Sequence, residues 1–346
     1  MKTALITGIT GQDGAYLSSL LLQKNYKVYG TYRRISTPNF WRLKSMGLLN
    51  KITLVPLEMT DQSSMVEIFQ SFKFDEVYNL AAQSFVGGSF DQPISTAEVD
   101  GIGTLKILDC IRLLSPKTKF YQASTSEMFG EVGKNFPQDE NTPFHPRSPY
   151  ASAKTFAHHT VQNYREAYGL FACSGILFNH ESPYRGLEFV TRKITNTVAR
   201  IKLELQQDLK LGNLESKRDW GHARDYVEAM WLMLQQEQAD DFVIASGETR
   251  TVREFCSIAF SHLELDYEKY VKIDKKFLRP AEVNLLLGNP TKAKKKLGWK
   301  PKISFKQLVE EMVDTDLERW TKRPEHWDAP NATGWEDSLR KTALDR

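Results

Sequence analysis

Near the start of the chain a short apolar run, Ala4 to Thr7, meets the loop Thr7-Gly8-Ile9-Thr10-Gly11-Gln12-Asp13-Gly14 and then a stretch of helical period. Few folds place three glycines between a strand and a helix. In that setting one glycine permits a tight turn, one lets backbone approach a phosphate, and one lets the helix pack close to the strand. A dinucleotide pyrophosphate would then rest on the helix N-terminus over Gly8, Gly11 and Gly14, with Thr10, Gln12 and Asp13 in the same loop. A glycine-rich loop alone is often only a turn, so the flanking strand and helix carry the argument.

The chain after the loop repeats the pattern. Candidate strands at Ala4 to Thr7, Lys27 to Thr31, Ile52 to Leu57, Glu76 to Leu80 and Lys119 to Ala123 alternate with stretches whose apolar residues recur at three- and four-residue steps. Leu17, Leu20 and Leu21 form one such stretch, and Ile102, Leu105, Ile107, Leu108 and Ile111 another. Five βα units with right-handed crossovers imply an α/β protein with a Rossmann-type, doubly wound parallel sheet. After Tyr150 the sequence reads as a helix to about Tyr168 and a strand from Phe171 to Phe178, then helices near 190–205, 223–237, 252–262 and 304–320. The expected organisation is a cofactor-binding domain over 1–178, a smaller, mostly helical C-terminal substrate lobe over 179–322 with some segments returning to the sheet, and an irregular tail over 323–346. Trp320, Trp327 and Trp335 stand within Asp316 to Arg346 among charges and prolines, either as anchors that dock a tail or as an oligomer contact.

Composition narrows the partners. With 41% hydrophobic residues, 26% charged residues and no apolar run near the roughly 20 residues that span a bilayer, neither a membrane-spanning nor a mostly disordered chain is expected. A net charge of +3 is too small to draw nucleic acid or a membrane by itself, so an anionic ligand must be held locally. The lysine-rich stretch Lys292 to Lys302 has no arginine and one aromatic, and reads as a solvated helix face. Cys110, Cys173 and Cys256 are far apart with no CxxC pair, which indicates neither disulfides nor zinc and fits a reducing cytoplasm. The N-terminus lacks the apolar stretch of a secretory signal, and in a cytoplasmic protein the Asn331-Ala332-Thr333 glycosylation spelling is inert. His158 and His159 point about 100° apart on a helix, and no metal is expected.

About 20 residues after the fingerprint, where an acidic side chain would bind the ribose of NAD, the chain reads Tyr32-Arg33-Arg34. Two guanidinium forks there favour the 2′-phosphate of NADP. Further on, Tyr150-Ala151-Ser152-Ala153-Lys154 sets a phenol and an ammonium one helical turn apart. A chain with this many tyrosines and lysines holds about one such pair by chance, so position must supply the evidence. The pair follows the fifth strand, whose end carries Ser124-Thr125-Ser126-Glu127, and ligands bind at that end of a parallel sheet. A nearby ammonium and an oxidised nicotinamide would lower the phenol from its ordinary value near 10, making Tyr150 a base for a substrate hydroxyl. Glu127 is either an acid–base group or a cap on the next loop.

These residues resemble the extended short-chain dehydrogenase/reductase family, and within it the nucleotide-sugar 4,6-dehydratases. The resemblance runs through the glycine loop on to Leu17, Tyr78 to Val86, Tyr121 to Gly130, and Phe178 to Pro183, and covers roughly residues 1 to 320. Its Thr-Ser-Glu string is what separates a dehydratase from an epimerase or reductase. It implies a hydro-lyase that converts GDP-mannose to GDP-4-keto-6-deoxymannose by internal hydride transfer through bound NADP, with a GDP-linked heptose as the alternative substrate. Tyr150 would remove the C4 hydroxyl proton, Thr125 would bond the C4 oxygen, Glu127 would take the C5 proton and assist loss of the C6 hydroxyl, and Lys154 would also hold the nicotinamide ribose. The resemblance adds Glu58, Met59, Leu80, Ala81, Ala82, Ser84, Val99, His180 and Arg185 to the cofactor site. Around the nucleotide sugar it puts Ser84, Thr125, Ser126, Asn179, Lys193, Arg218, Arg279 and Glu282. Where many relatives have two adjacent arginines this chain has Tyr184-Arg185, one anchoring charge fewer. Arg33 to Ser36 resembles a segment that reaches a neighbouring subunit's cofactor, which implies a homotetramer built as a dimer of dimers. Two other readings are a reductase or epimerase on the same nucleotide sugars, which Glu127 opposes, and a non-catalytic NADP-binding module, which the Tyr150 and Lys154 pair opposes.

Overall fold

The computed structural model describes residues 1–36, 39–130, 137–277 and 285–322. The tail beyond residue 322, with Trp327, Trp335 and Asn331, lies outside them. All five early strands form: β1 (Thr3–Thr7), β2 (Lys27–Tyr32), β3 (Thr53–Pro56), β4 (Glu76–Asn79) and β5 (Lys119–Thr125), followed by β6 (Ala172–Leu177). With Phe242–Ile244 they make one seven-stranded sheet, ordered β3-β2-β1-β4-β5-β6 and then Phe242–Ile244, in which every pairing is parallel. The strand order reverses between β1 and β4, and a crevice opens at the carboxyl ends of strands where such a reversal occurs. Thr7 and Asn79 close its base. The Thr7 hydroxyl donates to Asn79 Oδ1 at 2.7 Å and accepts from the backbone N–H groups of Leu80 and Ala81 at 3.0 and 3.1 Å.

Adjacent residues on each strand serve opposite faces, as the pleat requires. Leu5, Val77 and Phe120 pack with Ile68, Phe69, Ile107 and Ile111 on one side. Ile6, Tyr78 and Tyr121 pack with Leu17, Leu21, Val227 and Met230 on the other. The seventh strand comes from the C-terminal half and is too short for a period to mark it; Val243 packs there against Ile176 and Phe178.

A separate apolar core joins the helices Val190–Lys202, Val252–His262 and Phe305–Lys322 through Ile194, Val198, Phe255, Phe260, Leu308 and Met312. Through that core Arg192 and Asp316, both fully buried, pair at 2.7 Å. The helix expected near 190–205 stops at Lys202, and Glu204 beyond it has a left-handed φ of 59°. The lysine-rich stretch forms the helix Thr291–Leu297 with Lys294, Lys295 and Lys296 exposed, as a solvated face would have them, and Lys292 and Lys296 pair with Asp240 at 2.7 and 3.1 Å. Among the described residues all three cysteines are buried and free, no group of side chains could hold a metal, and no helix is long and apolar enough to cross a membrane.

Candidate active site

A cavity of about 320 Å³ sits at the strand reversal, and the glycine loop forms part of its floor. Gly8 has a φ of +66°, and a Cβ there would lie 2.8 Å from the Ala81 Cα; at Gly14 it would lie 2.6 Å from the Ile9 Cα. Both positions exclude any side chain. Gly11 precedes the helix Gln12–Gln23 in extended conformation, and a Cβ there would meet only the Gly8 carbonyl, at 3.3 Å. The first N–H groups of a helix have no intrahelical acceptor and carry its positive end, so this floor suits a diphosphate. Gly8, Thr10, Gly11, Gln12, Asp13 and Gly14 all line the cavity, as do Leu80, Ala81, Ala82 and Ser84 after β4. That donor set fits a dinucleotide.

The end of β5 and the helix Pro149–Tyr168 complete the floor. Thr125 accepts from the Glu127 N–H at 3.3 Å, opening a single 3₁₀ turn over Ser126–Met128 that presents Ser126 and Glu127 to the cavity. Thr125 is thus the cap. The Glu127 carboxylate takes no hydrogen bond among the described residues, and the loop 131–136 that it would otherwise cap lies outside them. Ser148 accepts from the Ala151 N–H at 3.1 Å and Pro149 starts the helix, which fixes Tyr150 in its first turn. Tyr150 and Lys154 are buried, and the ammonium lies 5.9 Å from the phenol ring centre.

Burial opposes the lowering expected of the phenol. Burial pushes Tyr150 up, Asp100 and Glu127 add to the rise, and Thr125 and Arg185 oppose it. Burial pulls Lys154 down, with Asp100 opposing. Sequence shows that an ammonium is one turn away but not that both groups are out of water, and desolvation wins. Asp100 itself went unnoticed in the sequence. It lies in a π-helical turn, Ala97–Ile102, is 1% exposed, and accepts from the Gln83 N–H at 2.7 Å. Its Oδ2 has no partner among the described residues. Burial raises its carboxyl to about 6 against the pull of Lys154 and the Gln83 amide. An acid within an apolar helical run was the available signal.

Residues after β6 form the roof. The strand Asn179–Glu181 pairs with Trp220–His222, and Asn179, His180 and Arg185 line the cavity. His180 bonds the Phe178 carbonyl through Nδ1 and Asp13 through Nε2, each at 2.8 Å, so both nitrogens donate when the ring is charged. Burial alone would lower its pKa, but the charge and hydrogen bond of Asp13 leave it raised; Asp13 is lowered against its own burial by His180. Gln12 donates to the His180 carbonyl at 3.1 Å and accepts from Ser182 at 2.6 Å. The Arg185 guanidinium lies 3.1 Å from Glu181 and stacks on Phe189 at 3.5 Å. Phe85, Val86 and Phe189, absent from the sequence-based set, are apolar walls of the same cavity.

Other expected residues stand elsewhere. Arg33 and Arg34 are exposed, and Arg34 borders a second cavity of about 470 Å³ together with Glu58. Met59 is buried in the core beneath, and Val99 packs on that core. The Lys193 ammonium lies 3.5 Å from the Phe277 ring centre, and buried Arg218 donates to the Lys217 carbonyl at 3.0 Å. Neither lines the first cavity. Arg279 and Glu282 lie outside the described residues.

Residues 5–312 match the family model of GDP-mannose 4,6 dehydratase. GDP-mannose 4,6 dehydratase 2 of Arabidopsis thaliana is 54% identical over 327 residues, covering 92% of this chain and 87% of the plant protein. The Homo sapiens GDP-mannose 4,6 dehydratase is 49% identical over 348 residues, covering 93% of each. Among solved structures, dTDP-glucose 4,6-dehydratase from Bacillus anthracis in complex with NAD superposes with a TM-score of 0.81 over 94% of this chain and 99% of that one; at 23% identity this is a likeness of fold. Because the family match runs from β1 into the last helix and so spans both floor and roof, the chain belongs to the GDP-mannose 4,6 dehydratase family.

Proposed function

We propose that this enzyme, a hydro-lyase of nucleotide sugars, converts GDP-mannose to GDP-4-keto-6-deoxymannose and water with NADP held on the glycine loop. One observation carries the reading: Thr125, Glu127, Tyr150 and Lys154 share a single cavity with that loop. The family match supports the substrate, and exposed Arg33 and Arg34 beyond β2 support a 2′-phosphate. When bound, NADP supplies a hydride acceptor that returns the hydride within the same turnover.

Each residue then has a proton or a position to manage. Tyr150 takes the C4 hydroxyl proton while Thr125 bonds the C4 oxygen, and the positive charge that an oxidised nicotinamide carries offsets the burial that raises the phenol. The resulting ketone acidifies C5. Glu127, its carboxylate uncommitted among the described residues, takes the C5 proton and passes it to the departing C6 hydroxyl, which leaves as water. Tyr150, protonated in the first step, returns its proton at C5 as C6 receives the hydride, so no net oxidation occurs. Lys154 supports the phenolate and holds the nicotinamide ribose. Asn179, Lys193, Arg218, Arg279 and Glu282 grip the nucleotide, and Leu80, Ala81, Ala82, Ser84, His180 and Arg185 grip the cofactor.

We place the enzyme in the cytoplasm as a homotetramer. Exposed Phe90, Ile94, Ile102 and Phe156, on helices beside the site, support a face that a second copy covers. A fully active monomer in sedimentation would remove that assembly. The reaction is tested with GDP-mannose deuterated at C4 and catalytic NADP. The expected product has lost one water and carries deuterium at C6. No water loss from GDP-mannose, with turnover of a GDP-heptose instead, would reassign the substrate.

A further inference from the structure

Three consecutive backbone carbonyls in the roof are each held by a different guanidinium. Arg319 donates to the Pro183 carbonyl at 2.6 Å, Arg42 Nε to that of Tyr184 at 2.6 Å, and Arg192 Nη1 to that of Arg185 at 2.8 Å. Hydrogen bonds with an ionised donor are roughly twice as strong as neutral ones. Arg192 and Arg319 come from the C-terminal half and are themselves fixed by Asp316. Arg42 comes from the other half. Its second arm, Nη1, donates to the Thr10 carbonyl at 3.1 Å, inside the glycine loop. One side chain therefore ties the floor of the cavity to the backbone beside Arg185.

The surroundings hold Arg42 in place. Its guanidinium lies 4.5 Å from the Trp41 ring centre, and that ring lies 5.8 Å from Tyr184. Tyr184 also meets Tyr16 edge-on at 5.7 Å, sits 5.2 Å from Arg319, and has its hydroxyl 3.2 Å from that of Ser45. Tyr184 thus packs on the segment that carries Arg42. Burial and the charge of Arg192, against Glu188 and joined by Arg185 and Arg319, lower the Arg42 guanidinium to about 10, still charged at neutral pH.

We propose that Arg42 is a positioning residue whose two arms lock the Tyr184 carbonyl to the Thr10 carbonyl, so that the placement of Arg185 in the cavity and the binding of a dinucleotide on the glycine loop are coupled through it. The inference rests on the cofactor and Arg185 roles proposed above. A planar guanidinium can bond two carbonyls in fixed directions, and an ammonium cannot reproduce that fork.

The test uses the full chain with Arg42→Ala and Arg42→Lys, each alone and combined with Arg185→Ala. Arg42→Ala is expected to lower kcat about 30-fold, within the range that a misplaced group produces, and to weaken NADP about tenfold in calorimetry. Arg42→Lys should keep the melting temperature yet recover only a small part of either loss. In the Arg185→Ala background, Arg42→Ala should change kcat less than about twofold, because both act through one group. Losses that multiply in the double variant, or unchanged kcat and NADP affinity in Arg42→Lys, would overturn the proposal. Wild-type protein that fails to dehydrate GDP-mannose strikes the proposed function instead. The clamp is then judged by hydrogen exchange of ligand-free protein: faster exchange at 182–189 in Arg42→Lys upholds it and unchanged exchange refutes it.

Discussion

The floor and the roof of the cavity are built by opposite means. In the floor the decisive contacts come from what is absent: no side chain at Gly8 or Gly14, where a Cβ would stand under 3.0 Å from neighbouring backbone. In the roof they are charged or polar side chains reaching across the chain. Asp13 and His180 are 167 positions apart, Gln12 and Ser182 are 170, Arg42 and Tyr184 are 142, and Arg319 and Pro183 are 136. Close-packed backbone at strand ends holds atoms to a fraction of an ångström, which proton transfer needs. Side-chain bridges fix the height and charge of the covering segment, which governs grip. The difference predicts that floor substitutions change the chemical step and roof substitutions change binding and placement.

The largest effect should come from Glu127→Gln. General acid–base catalysis is worth about 10² to 10⁴ in rate, and we expect dehydration to fall about 10³-fold, with GDP-mannose binding changed only a few-fold. The near-ultraviolet signal of reduced nicotinamide should then build up, because the C4 oxidation needs Tyr150 and not Glu127. Unchanged dehydration would remove Glu127 from the mechanism and the chemical role from the floor. Next in size, Gly14→Ala should destabilise the fold by about 3 kcal/mol, the upper range for overpacking, since its Cβ meets the Ile9 backbone rather than a movable side chain. Urea unfolding measures this. A cost below about 1 kcal/mol, within what a surface change produces, would show that the floor yields and would blur the contrast with the roof.

The same contrast decides how much could be read from sequence. Strand runs and the glycine loop are local patterns, so the sheet from β1 to β6 and the floor of the cavity were legible, and the end of the fifth strand marked Thr125 and Glu127. Phe242–Ile244 escaped because three residues show no period. Arg42 escaped because its meaning lies in carbonyls of Thr10 and Tyr184, and no spacing rule links them. The pairing of Lys292 and Lys296 with Asp240 escaped because that acid, more than 50 positions earlier, could not be seen to face them. The burial that pushes Tyr150 up escaped for a related reason: a neighbouring ammonium is visible in YxxxK, whereas burial is a property of everything packed around it.

Asp100 is where the floor departs from its own rule, for it is a buried acid with one oxygen unpartnered among the described residues. Its carboxyl is raised from 3.8 to about 6, first by burial. In the unfolded chain it loses its proton near pH 3.8, while in the folded protein it keeps it to about pH 6, so between those values the folded state binds more protons. Stability attributable to Asp100 therefore falls as pH rises through this window, by about 1.4 kcal/mol per unit and about 2 to 3 kcal/mol in all. Asp100→Asn should lack that decline. Asp219, also raised to about 6 by burial, contributes a similar slope to both proteins, so the difference between their stability curves isolates Asp100. Urea unfolding at pH 4, 5, 6 and 7 should give curves that meet at the acid end and separate toward neutrality, the variant being the more stable. If the curves instead run parallel, Asp100 is ionised and solvated in the folded protein, and the floor carries no uncompensated charge beside Lys154.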